Sequence, residues 1–181
     1  MAPPNNPPRV GAFIDVMALN YAIKATINDP EVKASLDLYG LRSVLQDLGR
    51  NAVRTAYLSP PGQASGVNLG ALAAAANAAG FTPHLLRRSQ DGRPFVECVI
   101  IPEIFAEVPH LDIVVLGVIA PQYCHTIDKL HGFGVDVHVV GPRPRIHADL
   151  VEKADRVIDL MMLPDAIRRQ DAAFNQEKET P

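Results

Sequence analysis

Tryptophan is missing from this 181-residue chain and aromatic residues make up only 6% of it, so a core must be built from Val, Ile, Leu and Ala. Cysteine is scarce too. Cys98 and Cys124 are too few for a disulfide framework or a zinc ribbon, and they suit a reducing compartment. No apolar run reaches the ~18–20 residues of a membrane-spanning helix, and the opening MAPPNNPP lacks the apolar stretch of a signal peptide. Positive charge is not in excess: 17 Lys and Arg against 20 Asp and Glu leave a net charge of −3. That balance argues against a generally cationic nucleic-acid coat but leaves room for a local basic rim. These deficits predict a cytoplasmic protein with no membrane partner. What is present, 48% hydrophobic and 20% charged residues, suffices for one buried core and excludes a wholly disordered chain.

Residues 1–8, with four prolines and two asparagines, predict an extended solvated arm. The stretch from Asp165 to the end is polar and mixed in charge, and predicts a frayed helix or a disordered tail. The domain boundaries that follow are 1–8, 9–163 and 164–181. Within the middle segment, short apolar runs alternate with longer helical stretches. The runs are Val10–Ile14, Ala52–Leu58, Phe81–Leu86, Ile113–Leu116, Val135–Val140 and Arg156–Leu160. Most are continuous in Val, Ile and Leu, as strands covered on both faces are. Among the spacers, Asp29-Pro30-Glu31 reads as a helix start. Val67–Ala79 reads as a helix stopped at Gly80. Pro121–Phe133 carries Tyr123, Ile127 and Leu130 on one helical stripe. The pattern predicts an α/β three-layer sandwich with a mostly parallel sheet of five to six strands, PIN-like or Rossmann-like.

In such sheets ligands bind outside the carboxyl ends of the strands. Asp15 closes the first run, either as an oxygen ligand for a divalent cation or as a cap on the following helix. Glu97 opens a helix and could face Asp15 across a metal site. Glu103, six residues on, falls about 240° around that helix, and Pro102 between them should kink or end it. Arg87, Arg88 and Arg93 follow the third run, and Arg143 and Arg145 follow the fifth, where they could grip phosphates on either side of Asp15. The glycine patterns of dinucleotide and P-loop sites, the HExxH metal motif and the GxSxG elbow are all missing.

The order of elements and several local motifs resemble the NYN domain, a PIN-like ribonuclease family that includes LabA-type proteins. VGAFIDVMALNYA resembles the family's opening strand, with its Asp-Gly-x-Asn ending. LGALAAAANAAGFTPHLL resembles its second helix and third strand, and FVECVIIPE its two-acid helix, with Glu97 and Glu103 at the same interval. LDIVVLG, IDKLHGFGVDVHVVG and HADLVEKADRVIDL resemble the remaining strands and the closing segment. The resemblance spans about Arg9 to Leu163. It implies a metal-dependent ribonuclease fold in which acids hold Mg²⁺ or Mn²⁺. It implies Asp15, Glu97 and Glu103 as catalytic positions, and Asp15 and Glu97, joined by the amide of Gln122, as metal ligands.

The departures are specific. Val16 and Ala18 stand where the family has Gly and Asn, and the segment Val118–Gln122, in place of an acidic turn, holds no carboxylate. The helix acids are Glu, Pro102 interrupts them, and only Arg93 lies near the family's Lys position. Two-metal catalysis needs enough anionic charge for cations about 3.5–4 Å apart. The expectation is therefore a scaffold with weakened or lost nuclease chemistry, retained to bind RNA, a protein partner or a second copy of itself. The runner-up is an active endoribonuclease using Asp15 and Glu97, and a third reading is a Rossmann-like small-ligand binder.

Overall fold

The computed structural model describes residues 6–60, 68–86 and 96–171. Six strands form one sheet: β1 (Arg9–Asp15), β3 (Arg50–Leu58), β4 (Thr82–Leu85), β5 (Ile113–Gly117), β6 (Asp136–Gly141) and β7 (Arg156–Asp159). Each coincides with one of the apolar runs in the sequence. Their order is β4-β3-β1-β5-β6-β7 and every neighbouring pair is parallel. Both faces must therefore be covered, and the period of two assigns them. Val10, Ala12 and Ile14 of β1 pack into one core with α1 (Val16–Ile27), α2 (Leu38–Leu48) and α3 (Leu69–Ala78). Phe13, between them, joins the opposite core with α4 (Val96–Glu107), α5 (Cys124–Gly132) and α6 (Ala148–Lys153). The result is the three-layer α/β sandwich that the pattern predicts.

From β1 the chain winds outward through β3 to β4, then returns to β5 on the other side of β1 and winds outward through β6 to β7. The strand order reverses between β1 and β5, which opens a crevice beyond their carboxyl ends. No helix among the described residues is long and apolar enough to cross a membrane.

Three sequence expectations need correction. Asp29-Pro30-Glu31 does not start a helix. Asn28 ends α1 in the left-handed conformation (φ 51°), and Asp29 Oδ1 accepts from the Glu31 N–H at 2.9 Å, which turns the chain into strand β2 (Val32–Leu36). The segment after Asp165 is not a polar tail throughout. Residues Pro164–Ala166 form a 3-10 turn and β8 (Ile167–Asp171) pairs antiparallel with β2, register Leu36 to Ile167. Gly40 on α2 makes this possible, because a Cβ there would stand 1.8 Å from the Asp165 carbonyl oxygen.

Pro102 does not end α4 either. Its missing N–H and its ring cost about 3 kcal/mol or more in an ordinary helix interior, through the lost bond to the Cys98 carbonyl. Val96, Ile100 and Ile104, at four-residue spacing, are buried against the sheet. At about 1.5–3 kcal/mol each, their burial outweighs the proline.

Candidate functional site at the carboxyl edge

Three in-register side chains define the edge. Asp15 on β1 stands opposite Tyr57 on β3, and Tyr57 opposite His84 on β4. Above them lies α4, which runs back across the sheet from its carboxyl side.

Asp15 is only 9% exposed. Its Oδ1 accepts from the N–H groups of Met17 (3.1 Å) and Ala18 (3.0 Å), so it caps α1. Burial pushes its carboxyl up to about 6; the two N–H bonds oppose that rise and the nearby charge of Glu97 adds to it. The carboxyl is thus a helix cap that still titrates near neutrality. Tyr123, buried in the 3-10 turn Pro121–Tyr123 that precedes α5, shares this corner. Burial raises its phenol, and the charges of Asp15 and Glu97 raise it further. Val118, just past β5, is 1% exposed and joins the core under α4 and α5, closing the floor of the crevice with hydrocarbon.

Glu103 belongs to a different cluster from Glu97. The Tyr57 hydroxyl donates to Glu103 Oε2 at 2.5 Å, and His84 Nδ1 lies 2.8 Å from Oε1. The Tyr57 and His84 rings stack, centroids 5.6 Å apart and 24° from coplanar. Both carboxylate oxygens of Glu103 are engaged. Desolvation, then Glu103, pushes the Tyr57 phenol far up, so it stays a neutral donor. Glu103 thus ties β3, β4 and α4 together, with each of its oxygens held by a partner.

The other candidate residues fall elsewhere. Gln122 is exposed on its 3-10 turn, and the buried neighbour Tyr123 takes the inward place. Arg143 and Arg145 form a 3-10 turn pinned by Asp159 Oδ1, which accepts from the Arg143 N–H at 3.1 Å. The Arg145 guanidinium donates to the Ala25 carbonyl in the last turn of α1. Ala25 lies ten residues along α1 from Asp15, roughly 15 Å by helical rise, so Arg145 does not flank the carboxylate. Its place is set by the pull of free carbonyls at a helix C-terminus on a cation. Arg87, Arg88 and Arg93 lie outside the described residues.

Among the described residues no three His, Cys, Asp or Glu side chains converge as a metal-ligand set. Asp15 offers one uncommitted oxygen, Glu97 one carboxylate, and the remaining wall is phenol and hydrocarbon. That donor set does not fit a pair of hard divalent cations, which demand several oxygens each. Sequence reasoning missed the clustering of Tyr57 and His84 on Glu103, and the inward role of Tyr123. The signal for the first two was their equal distance from the ends of β3 and β4, which puts them side by side once the pairing is known.

Among solved structures, a Vibrio parahaemolyticus protein of unknown function is similar, with a TM-score of 0.76 at 14% identity over 92% of this chain and 99% of that one. At that identity the likeness shows the fold alone. No family model and no curated protein matches the chain.

Proposed function

We propose that this chain is a PIN-like domain of NYN type that binds single-stranded RNA and no longer supports two-metal phosphodiester hydrolysis. The observation that carries the second half is the commitment of the edge carboxylates. Asp15 caps α1 and is desolvated, Glu103 is spent on Tyr57 and His84, and only Glu97 keeps an uncommitted carboxylate. The order and spacing of the motifs support the RNA half, together with the sequence position of Arg87, Arg88 and Arg93 between β4 and α4. Free Cys98 and Cys124 suit a cytoplasmic setting.

The test is anisotropy of a fluorescein-labelled oligouridylate titrated with the full chain, alongside a cleavage assay in Mn²⁺ or EDTA. Saturable binding without Mn²⁺-dependent products is the expected result. Failure to bind RNA refutes the proposal. Cleavage that requires Mn²⁺ and disappears in Asp15→Ala establishes instead the second reading, a single-ion endoribonuclease. The proximity of Asp15 and Glu97 favours that alternative.

A further inference from the structure

A second concentration of positive charge lies away from the carboxyl edge. A cavity of about 680 Å³ lies between the end of α1 and the β2–β8 ribbon, lined in part by Lys24, Asn28, Asp29, Lys33, Ser35 and Arg168. Ala34 and Leu36 of β2 turn into the core, which leaves Lys33 and Ser35 on the other side of the strand. Arg168 stands opposite Ser35 in the ribbon and shares that side. Lys24 and Lys33 make no ion pair among the described residues. Arg168 pairs with Asp37 at 3.0 Å through Nη2 only and remains 60% exposed. Asp29 is the single carboxylate in the lining, and its Oδ1 is occupied by the Glu31 N–H. Lys24, Lys33 and Arg168 therefore stand against two acids, Asp29 and the Asp37 that pairs with Arg168, which leaves a local positive excess in a chain whose overall charge is −3.

We propose that this groove is a phosphate-binding site, and that its ligand is the sugar–phosphate backbone of single-stranded RNA. The assignment rests on the RNA-binding reading above and relocates the grip from the carboxyl edge to the α1–ribbon face. A local reversal of sign concentrates phosphates there while the acidic remainder repels them elsewhere. The volume lies within the range of ligand clefts. Lysines act as point charges on single phosphates, and Arg168 presents its remaining guanidinium N–H donors to a phosphate while Asp37 holds it in place.

The test compares the full chain with Lys24→Glu/Lys33→Glu, whose two side chains are exposed, so the fold is expected to survive; a thermal melt checks this. Three backbone contacts predict a slope of log affinity on log salt of about −2, hence about a twentyfold loss between ~50 and ~200 mM salt. The double variant is expected to bind oligouridylate at least about tenfold more weakly at low salt, with a slope no steeper than about −1. Inorganic phosphate is titrated in parallel, followed by the NMR shifts of the Lys33, Ser35 and Arg168 amides. Oligouridylate binding that is indifferent to the double variant overturns the groove and leaves the RNA-binding reading standing. Phosphate shifts at those amides without oligouridylate binding uphold a phosphate site for a smaller ligand and refute the RNA assignment. Neither response overturns both.

Discussion

Replacing Asp15 with asparagine isolates the cost of an ionised carboxyl buried beneath α4 and α5. The folded-state value, pushed from 3.8 up to about 6, means that the native protein holds this proton more tightly than the unfolded chain does. Between about pH 4 and 6 the unfolded state releases the proton first, so stability falls as pH rises across that window and stays lower above it. The difference corresponds to about 3 kcal/mol at pH 8. The substituted amide would keep a side-chain oxygen for the Met17 and Ala18 N–H groups, and asparagine caps helices as well as aspartate does. The variant is therefore expected to gain about 2–3 kcal/mol at pH 8 and nothing at pH 4. For a domain of this size the gain raises Tm by roughly 5–10 °C. Calorimetric melts at pH 4, 6 and 8 on both proteins measure it. An Asp15→Asn protein that melts below the parent at pH 8, or that retains the parent's pH slope, would refute the reasoning. It would show that the anion is stabilised where it sits, as a functional carboxylate needs to be.

Tyr57→Phe removes the phenolic donor to Glu103 while preserving the ring against His84, and should cost about 1.5–3 kcal/mol in urea unfolding. An unchanged midpoint would mean that Glu103 finds another donor at no cost. Gly40→Ala forces a methyl into the Asp165 carbonyl, and is expected to cost more than about 2 kcal/mol. Hydrogen exchange should show lost protection first at the Asp37 N–H, which donates to the Ala166 carbonyl. Full protection there would show that the turn yields freely. Pro102→Ala restores the bond to the Cys98 carbonyl and should raise stability by up to about 3 kcal/mol. A thermal melt that shifts downward would mean that the proline ring packs a contact worth more than the missing bond.

The six main strands were legible because a parallel sheet covered on both sides leaves uninterrupted Val, Ile and Leu in the sequence, as in IVVLG of β5. The ribbon was not. VKASL is short, and IRRQD carries one buried apolar residue, Ile167, so neither rises above the background of solvated chain. Asp-Pro-Glu fits a helix start and an Asx turn equally well, and only the left-handed Asn28 before it decides. Asp15 was legible as an edge residue with two competing roles, and the structure shows the capping role. Helical spacing already sets Glu97 and Glu103 on different faces of α4, but not which strands lie under each turn. The basic groove was hidden for the same reason, since Lys24, Lys33 and Arg168 come from three elements far apart in the chain.

The β2–β8 ribbon imposes an order on assembly. Arg168 and Asp37 are 131 residues apart, so the ribbon closes one of the longest loops in the molecule. During synthesis on the ribosome, β2 emerges early and waits with both edges unpaired until the six-stranded sheet has been translated. Its five-residue length and the charge of Lys33 are a defence against pairing with the wrong chain. A nascent protein halted before Ile167 would hold the complete six-stranded sheet, yet carry an unfinished phosphate groove.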